Sequence, residues 1–87
     1  MGMADEELQQ KLLWWVAALG REHPRGEVPE QVLMEQIERT LGRHSENYER
    51  YLAAAAALTR KGLVESNTTS DYAFLVATER GRRSVGD

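Results

Sequence analysis

The chain predicts an α+β fold, mostly helical, in which three helices are followed by a C-terminal β-hairpin and a short tail helix. Three observations predict it. Apolar residues recur at helical spacing in three segments, and each segment is closed by a glycine: Gly20, Gly42 and Gly62. Beyond Gly62, two short apolar-rich stretches flank the polar cluster Asn67-Thr68-Thr69-Ser70-Asp71, which is turn chemistry between strands. Thr78 then stands as an N-cap before Glu79-Arg80-Gly81-Arg82-Arg83, the last helical turn.

The first helix is expected over 5–19. Asp5, Glu6 and Glu7 place negative charge in the first turn, where the helix dipole favours it. Leu8, Leu12, Trp15, Val16 and Leu19 form one apolar stripe. Successive helix positions rotate by about 100°, so Trp14 points away from the face that buries Trp15. Leu13 and Ala17 fall nearer to Trp14 than to the stripe. The segment 20–28 reads as a loop broken by Gly20, Pro24 and Gly26, with a minimal strand at Glu27-Val28. Pro29 opens the second helix at a position that tolerates proline, and Leu33, Ile37 and Leu41 supply its buried face, with Val32 or Met34 at the edges. Arg43-His44 make a turn. Ser45 is the expected N-cap of a third helix that runs to about 61, through five consecutive alanines, 53–57. The first hairpin strand starts at Leu63-Val64. In the second, Tyr72, Phe74 and Val76 alternate with Ala73, Leu75 and Ala77, so both faces are apolar: either both are covered or one serves an interface.

A chain of 87 residues makes one domain with a modest core, which a partner or a dimer would reinforce. Hydrophobic residues at 41% and charged residues at 29% describe a globular protein. No cysteine is present, which excludes disulfides and thiolate metal sites. The first ten residues are too acidic and polar for a signal peptide, and the apolar run 12–19 is far short of the roughly 20 residues of a membrane span, so a soluble cytoplasmic protein is expected. Net charge is −3, distributed unevenly: 1–42 carry four basic and eight acidic side chains, and 43–87 seven basic and six acidic. Such an acidic chain lacks the strong basic patch of a non-specific DNA binder.

Two segments carry a family likeness. Leu-Thr-Arg-Lys-Gly-Leu-Val-Glu at 58–65 resembles the exit of the recognition helix in MarR-like and PadR-like transcription regulators. Ala-Thr-Glu-Arg-Gly-Arg at 77–82 resembles the Leu-Thr-Glu-Lys/Arg-Gly-Arg segment that follows the wing in those families, with Ala77 in place of the usual leucine. The resemblance implies a winged helix and a regulator that binds duplex DNA as a dimer, with the third helix in the major groove and the hairpin wing on the backbone or minor groove.

Counting back from Gly62, Tyr51, Ala54, Ala55 and Leu58 face inward, which leaves Leu52, Ala53 and Ala56 outward. Base readout needs Arg, Asn or Gln at such places. Polar residues occur instead at the helix start, where Arg43, His44, Ser45, Asn47, Tyr48 and Arg50 are the expected DNA contacts, with Arg80, Arg82 and Arg83 as further phosphate ligands. Glu46 and Glu49 oppose phosphate, and the wing cluster offers no base.

Two readings therefore stand. One is a small DNA-binding regulator acting as a homodimer or in a larger assembly. The other is a winged helix that has become a protein-interaction module, docking through Leu52, Ala53 and Ala56 or through Leu13, Trp14 and Ala17; an exposed tryptophan is a favoured interface anchor. Enzyme chemistry is not expected, and neither is a cofactor. His23 and His44 lie in different loops, and neither metal-ligand spacing, nor a phosphate-cradling glycine loop, nor a nucleophile elbow occurs.

Overall fold

A computed structural model describes residues 3–69 and 72–86. Among them are four α-helices and one three-stranded antiparallel sheet: α1 Asp5–Gly20, β1 Val28–Pro29, α2 Glu30–Leu41, α3 Asn47–Arg60, β2 Val64–Thr68, β3 Ala73–Ala77 and α4 Glu79–Ser84. A 3-10 turn over Pro24–Gly26 joins α1 to β1, with Arg25 in the left-handed region at φ 60°.

The stripe of α1 behaves as its spacing dictates: Leu8, Leu12, Trp15 and Val16 are buried. Leu13 and Ala17, expected on an outward patch with Trp14, are buried as well. The reason is that α1 is covered on two sides. α3 packs against the expected stripe, while β3 and α4 close over the flank that carries Leu13 and Ala17. Gly81 of α4 lies against Leu13, and Ala17 lines a small hollow with Gly20, Gly26 and Ala77.

The strand order is β1-β3-β2, so β3 is central. Val28 pairs with Leu75, and Val64 and Ser66 pair with Ala77 and Leu75. The expected strand at Glu27-Val28 forms one residue later; Pro29 is accommodated because β1 lies at the edge, where its missing N–H breaks no ladder bond. Alternation splits β3 between two environments: Leu75 and Ala77 enter the core, while Phe74 and Val76 are half-buried on the opposite face. Tyr72 stacks obliquely on Phe74, with ring centroids 5.9 Å apart. Of the turn cluster, Ser70 and Asp71 lie outside the described residues.

The segment between α2 and α3 departs from expectation. Gly42 stops α2 at φ 84°, but α3 begins at Asn47, and Ser45 does not cap it. The Ser45 hydroxyl is directed at the Glu46 carboxylate, 3.4 Å away. At the far end of α3, Gly62 turns the chain at φ 74°, and the Thr78 hydroxyl ties two elements together: it donates to the Gly62 carbonyl at 2.7 Å and accepts from the Gly81 N–H at 3.0 Å. That is the N-cap expected for α4.

Candidate interaction surface

The helix α3 determines what the protein presents. Tyr51, Ala54, Ala55, Ala57 and Leu58 are buried against the rest of the core, and Tyr48, Glu49, Leu52, Ala53 and Ala56 face outward. Trp14, Tyr48, Leu52 and Tyr72 are the large apolar side chains exposed among the described residues, at 56%, 47%, 45% and 64%. Two of the four lie one turn apart on the outer face of α3.

Two residues expected to contact DNA are committed elsewhere. Asn47 is 3% exposed, and its side-chain N–H donates to the Gly42 carbonyl at 2.8 Å. It closes the turn from inside and offers nothing to a base edge. Arg50 donates to the Met3 carbonyl and lies 3.9 Å from the Asp5 carboxylate, so the acidic start of α1 takes its charge. Both positions look free from α3 alone; the preceding turn occupies Asn47, and the start of α1 occupies Arg50.

The remaining expected contacts are accessible. The Arg43 side chain is 90% exposed, with Glu38 at 3.7 Å. The His44 ring places Nε2 2.8 Å from the Leu41 carbonyl; a carbonyl only accepts, so Nε2 carries the proton. Ser45 is exposed. On α4, Arg80 is exposed, Arg82 donates to the Ala77 carbonyl at 2.9 Å, and Arg83 pairs with Glu79 at 2.5 Å.

Tyr48 links α3 to a feature that no motif in the sequence announces. The Glu30 charge at the start of α2, followed by burial, raises its phenol above the ordinary value. Tyr51 beneath it is raised further, chiefly by burial and then by Glu30 and Tyr48. The Tyr48 and Tyr51 rings are stacked, 6.3 Å between centroids. Glu30 also lines a groove of about 500 Å³ with Pro29, Val32, Tyr72 and Phe74. The sequence signal for this groove is the second apolar face of β3. Glu30 thus acts electrostatically on the outer face of α3 and also lines an aromatic-lined groove beside the sheet.

Among the described residues, no helix is long and apolar enough to cross a membrane, and no group of three or more His, Cys, Asp or Glu side chains is placed to hold a metal ion. Comparison with protein-family models, curated proteins and solved structures finds no match to this chain.

Proposed function

We propose that this domain is a winged helix acting as a protein-docking module, with the outer face of α3 as its docking surface. The reading rests on one observation: Asn47 and Arg50 are engaged within the fold, while Leu52, Ala53 and Ala56 face outward. A recognition helix with an apolar outer face has little to offer base edges. It suits a partner segment that covers Leu52 with aliphatic side chains and meets Glu49 and Glu30 with Lys or Arg, since apolar anchors with a polar rim are how such interfaces are built. The helix order, the three-stranded sheet ending in a hairpin and the Thr78 cap support the winged-helix assignment.

A second reading has its own support. Arg43, Arg80, Arg82 and Arg83 are exposed cations around an otherwise acidic chain, which is what a small DNA-binding regulator of modest affinity would use on phosphates. Anisotropy of a mixed-sequence duplex at about 50 and 200 mM salt separates the two, because phosphate contacts release counterions and weaken steeply at higher salt. The docking module shows no salt-sensitive micromolar binding at either concentration. Micromolar binding that collapses at the higher salt and is lost in Arg43→Ala overturns the docking reading. For the docking face itself, Leu52→Asp abolishes capture of a partner that Trp14→Ala retains; equal capture by wild type and Leu52→Asp removes α3 from the surface.

A further inference from the structure

Once the core is built, the second face of β3 is left over. Directly opposed residues of antiparallel strands point to the same side. Phe74 is flanked in register by Pro29 and Asn67, and Val76 by Glu65, so these side chains share the outer face of the sheet. Glu27 joins them, with its carboxylate 3.5 Å from the Asn67 amide nitrogen. At the start of β3, Tyr72 and Phe74 line the groove of about 500 Å³ together with Glu30 and Val32 from the first turn of α2.

The chemistry of this face is one-sided. Its apolar surface comes from Pro29, Tyr72, Phe74 and Val76, and its charge from Glu27, Glu30 and Glu65. No Lys or Arg belongs to the three strands or to the first turn of α2. Among the described residues, none of the three glutamates has an ion-pair partner, and Arg25, in the turn before β1, pairs with none of them. Tyr72 is 64% exposed, and its ring stands at 41° to that of Phe74, an open angle that leaves ring surface uncovered. Carboxylates beside open aromatic rings complement a cation with a flat, weakly hydrated body.

We propose that the groove binds an arginine side chain presented by an extended segment of a partner protein. The guanidinium meets both features at once: its plane stacks on the aromatic rings, and its N–H fork donates to the Glu30 carboxylate. A lysine ammonium meets the charge as a compact, strongly hydrated point and stacks less well. The volume falls in the range of ligand clefts, roughly 300–1,000 Å³, so the residues flanking the arginine are accommodated too. Strand addition is not the mode, because Pro29 has no N–H to offer at the β1 edge. The groove shares Glu30 with the docking face on α3 but does not use Leu52, so the two proposals fail separately.

Amide-resolved NMR of the full chain, titrated with an acetylated and amidated Ala-Arg-Ala peptide whose only charge is the guanidinium, tests this. The expected result is saturable shifts of the Gln31, Val32, Ala73 and Phe74 amides, with a dissociation constant on the order of 1 mM for one anchored side chain. The same peptide with uncharged citrulline in place of arginine gives no saturable shift. Glu30→Gln keeps the size of the side chain and weakens binding by roughly tenfold. Tyr72→Ala, at an exposed position, weakens it by roughly fivefold. Both variants keep the wild-type amide spectrum away from the groove, and Leu52→Asp binds the peptide as wild type does. The proposal is overturned by an arginine peptide that gives no saturable shift, by equal binding of the citrulline peptide, by full affinity in Glu30→Gln or by lost affinity in Leu52→Asp. Groove amides that move when the protein alone is diluted overturn it as well, since they assign the groove to a second copy of this chain.

Discussion

The side-chain amide of Asn47 donates to the carbonyl of Gly42, five residues back, and so closes the turn that sets α3 against α2. Gly42 reaches this geometry at φ 84°, where a side chain would be strained. Asn47 supplies the donor while its own Oδ1 stays buried without a protein partner. Asn47→Ala removes the donor and is expected to cost about 1 kcal/mol, the net worth of a typical hydrogen bond. Asn47→Asp is expected to cost more, because two acceptors would face the Gly42 carbonyl and a charge would be buried. Urea denaturation measures both. An Asn47→Asp variant as stable as wild type would show that the turn does not depend on this donor.

Gly81 lies where α4 crosses the start of β2. A Cβ there would overlap the Leu63 carbonyl oxygen and stand 3.2 Å from Leu13 Cδ1. The Leu63 oxygen cannot retreat freely, since it accepts from the Thr78 N–H at 3.0 Å. Helix propensity alone favours Gly81→Ala by about 1 kcal/mol. The clash costs about 1–3 kcal/mol and wins, because the obstacle is backbone rather than a flexible side-chain tip. The variant should therefore unfold at lower urea, and an increase in the midpoint would contradict the close approach.

Two glycine stops and one cap are legible in this fold, while the expected Ser45 cap does not form. Gly42 and Gly62 follow periodic segments and take positive φ, and Thr78 caps α4, because these are local requirements of the backbone that particular residues meet. The outward face of α3 is legible for a similar reason: counting in helical steps from Gly62 separates Leu52 from Leu58. The commitments of Asn47 and Arg50 are not. Arg50 is held by Met3 and Asp5, which are distant in sequence, and no local pattern announces that the start of α1 will reach the start of α3. The burial of Leu13 and Ala17 escapes the sequence for the converse reason: a helix covered on two sides has a wider buried face than one stripe predicts.

The pair Tyr48 and Tyr51 makes a prediction in alkaline solution. Both phenols have folded values above the ordinary 10.0, Tyr51 chiefly through burial and Tyr48 chiefly through the Glu30 charge. A raised folded value means that the folded state keeps its proton when the unfolded state gives it up. The stabilisation is thus fully present below about pH 10 and is lost as pH rises above it. Urea midpoints between about pH 8 and 11 should fall more steeply for wild type than for Tyr51→Phe. The comparison is needed because lysines titrate in the same range. Parallel curves would mean that Tyr51 ionises in the folded chain as readily as in the unfolded one.

Five identical residues in α3 should respond differently to the same substitution. Ala54, Ala55 and Ala57 are buried, whereas Ala53 and Ala56 are exposed. Ala54 is 4% exposed and packs in the cluster with Leu8 and Leu12, so a larger side chain there must displace its neighbours. Ala54→Leu is expected to cost about 1–3 kcal/mol through overpacking. At Ala56 the added atoms enter solvent, and leucine is nearly as good a helix former as alanine, so Ala56→Leu should stay within about 0.5 kcal/mol of wild type. Chemical denaturation of the two variants side by side reads the orientation of α3 directly. The same substitution in the same alanine run, two positions apart, differs only in the direction the side chain takes. If the costs were reversed, the face carrying Leu52 would be the buried one, and the proposal of a docking surface on α3 would fall.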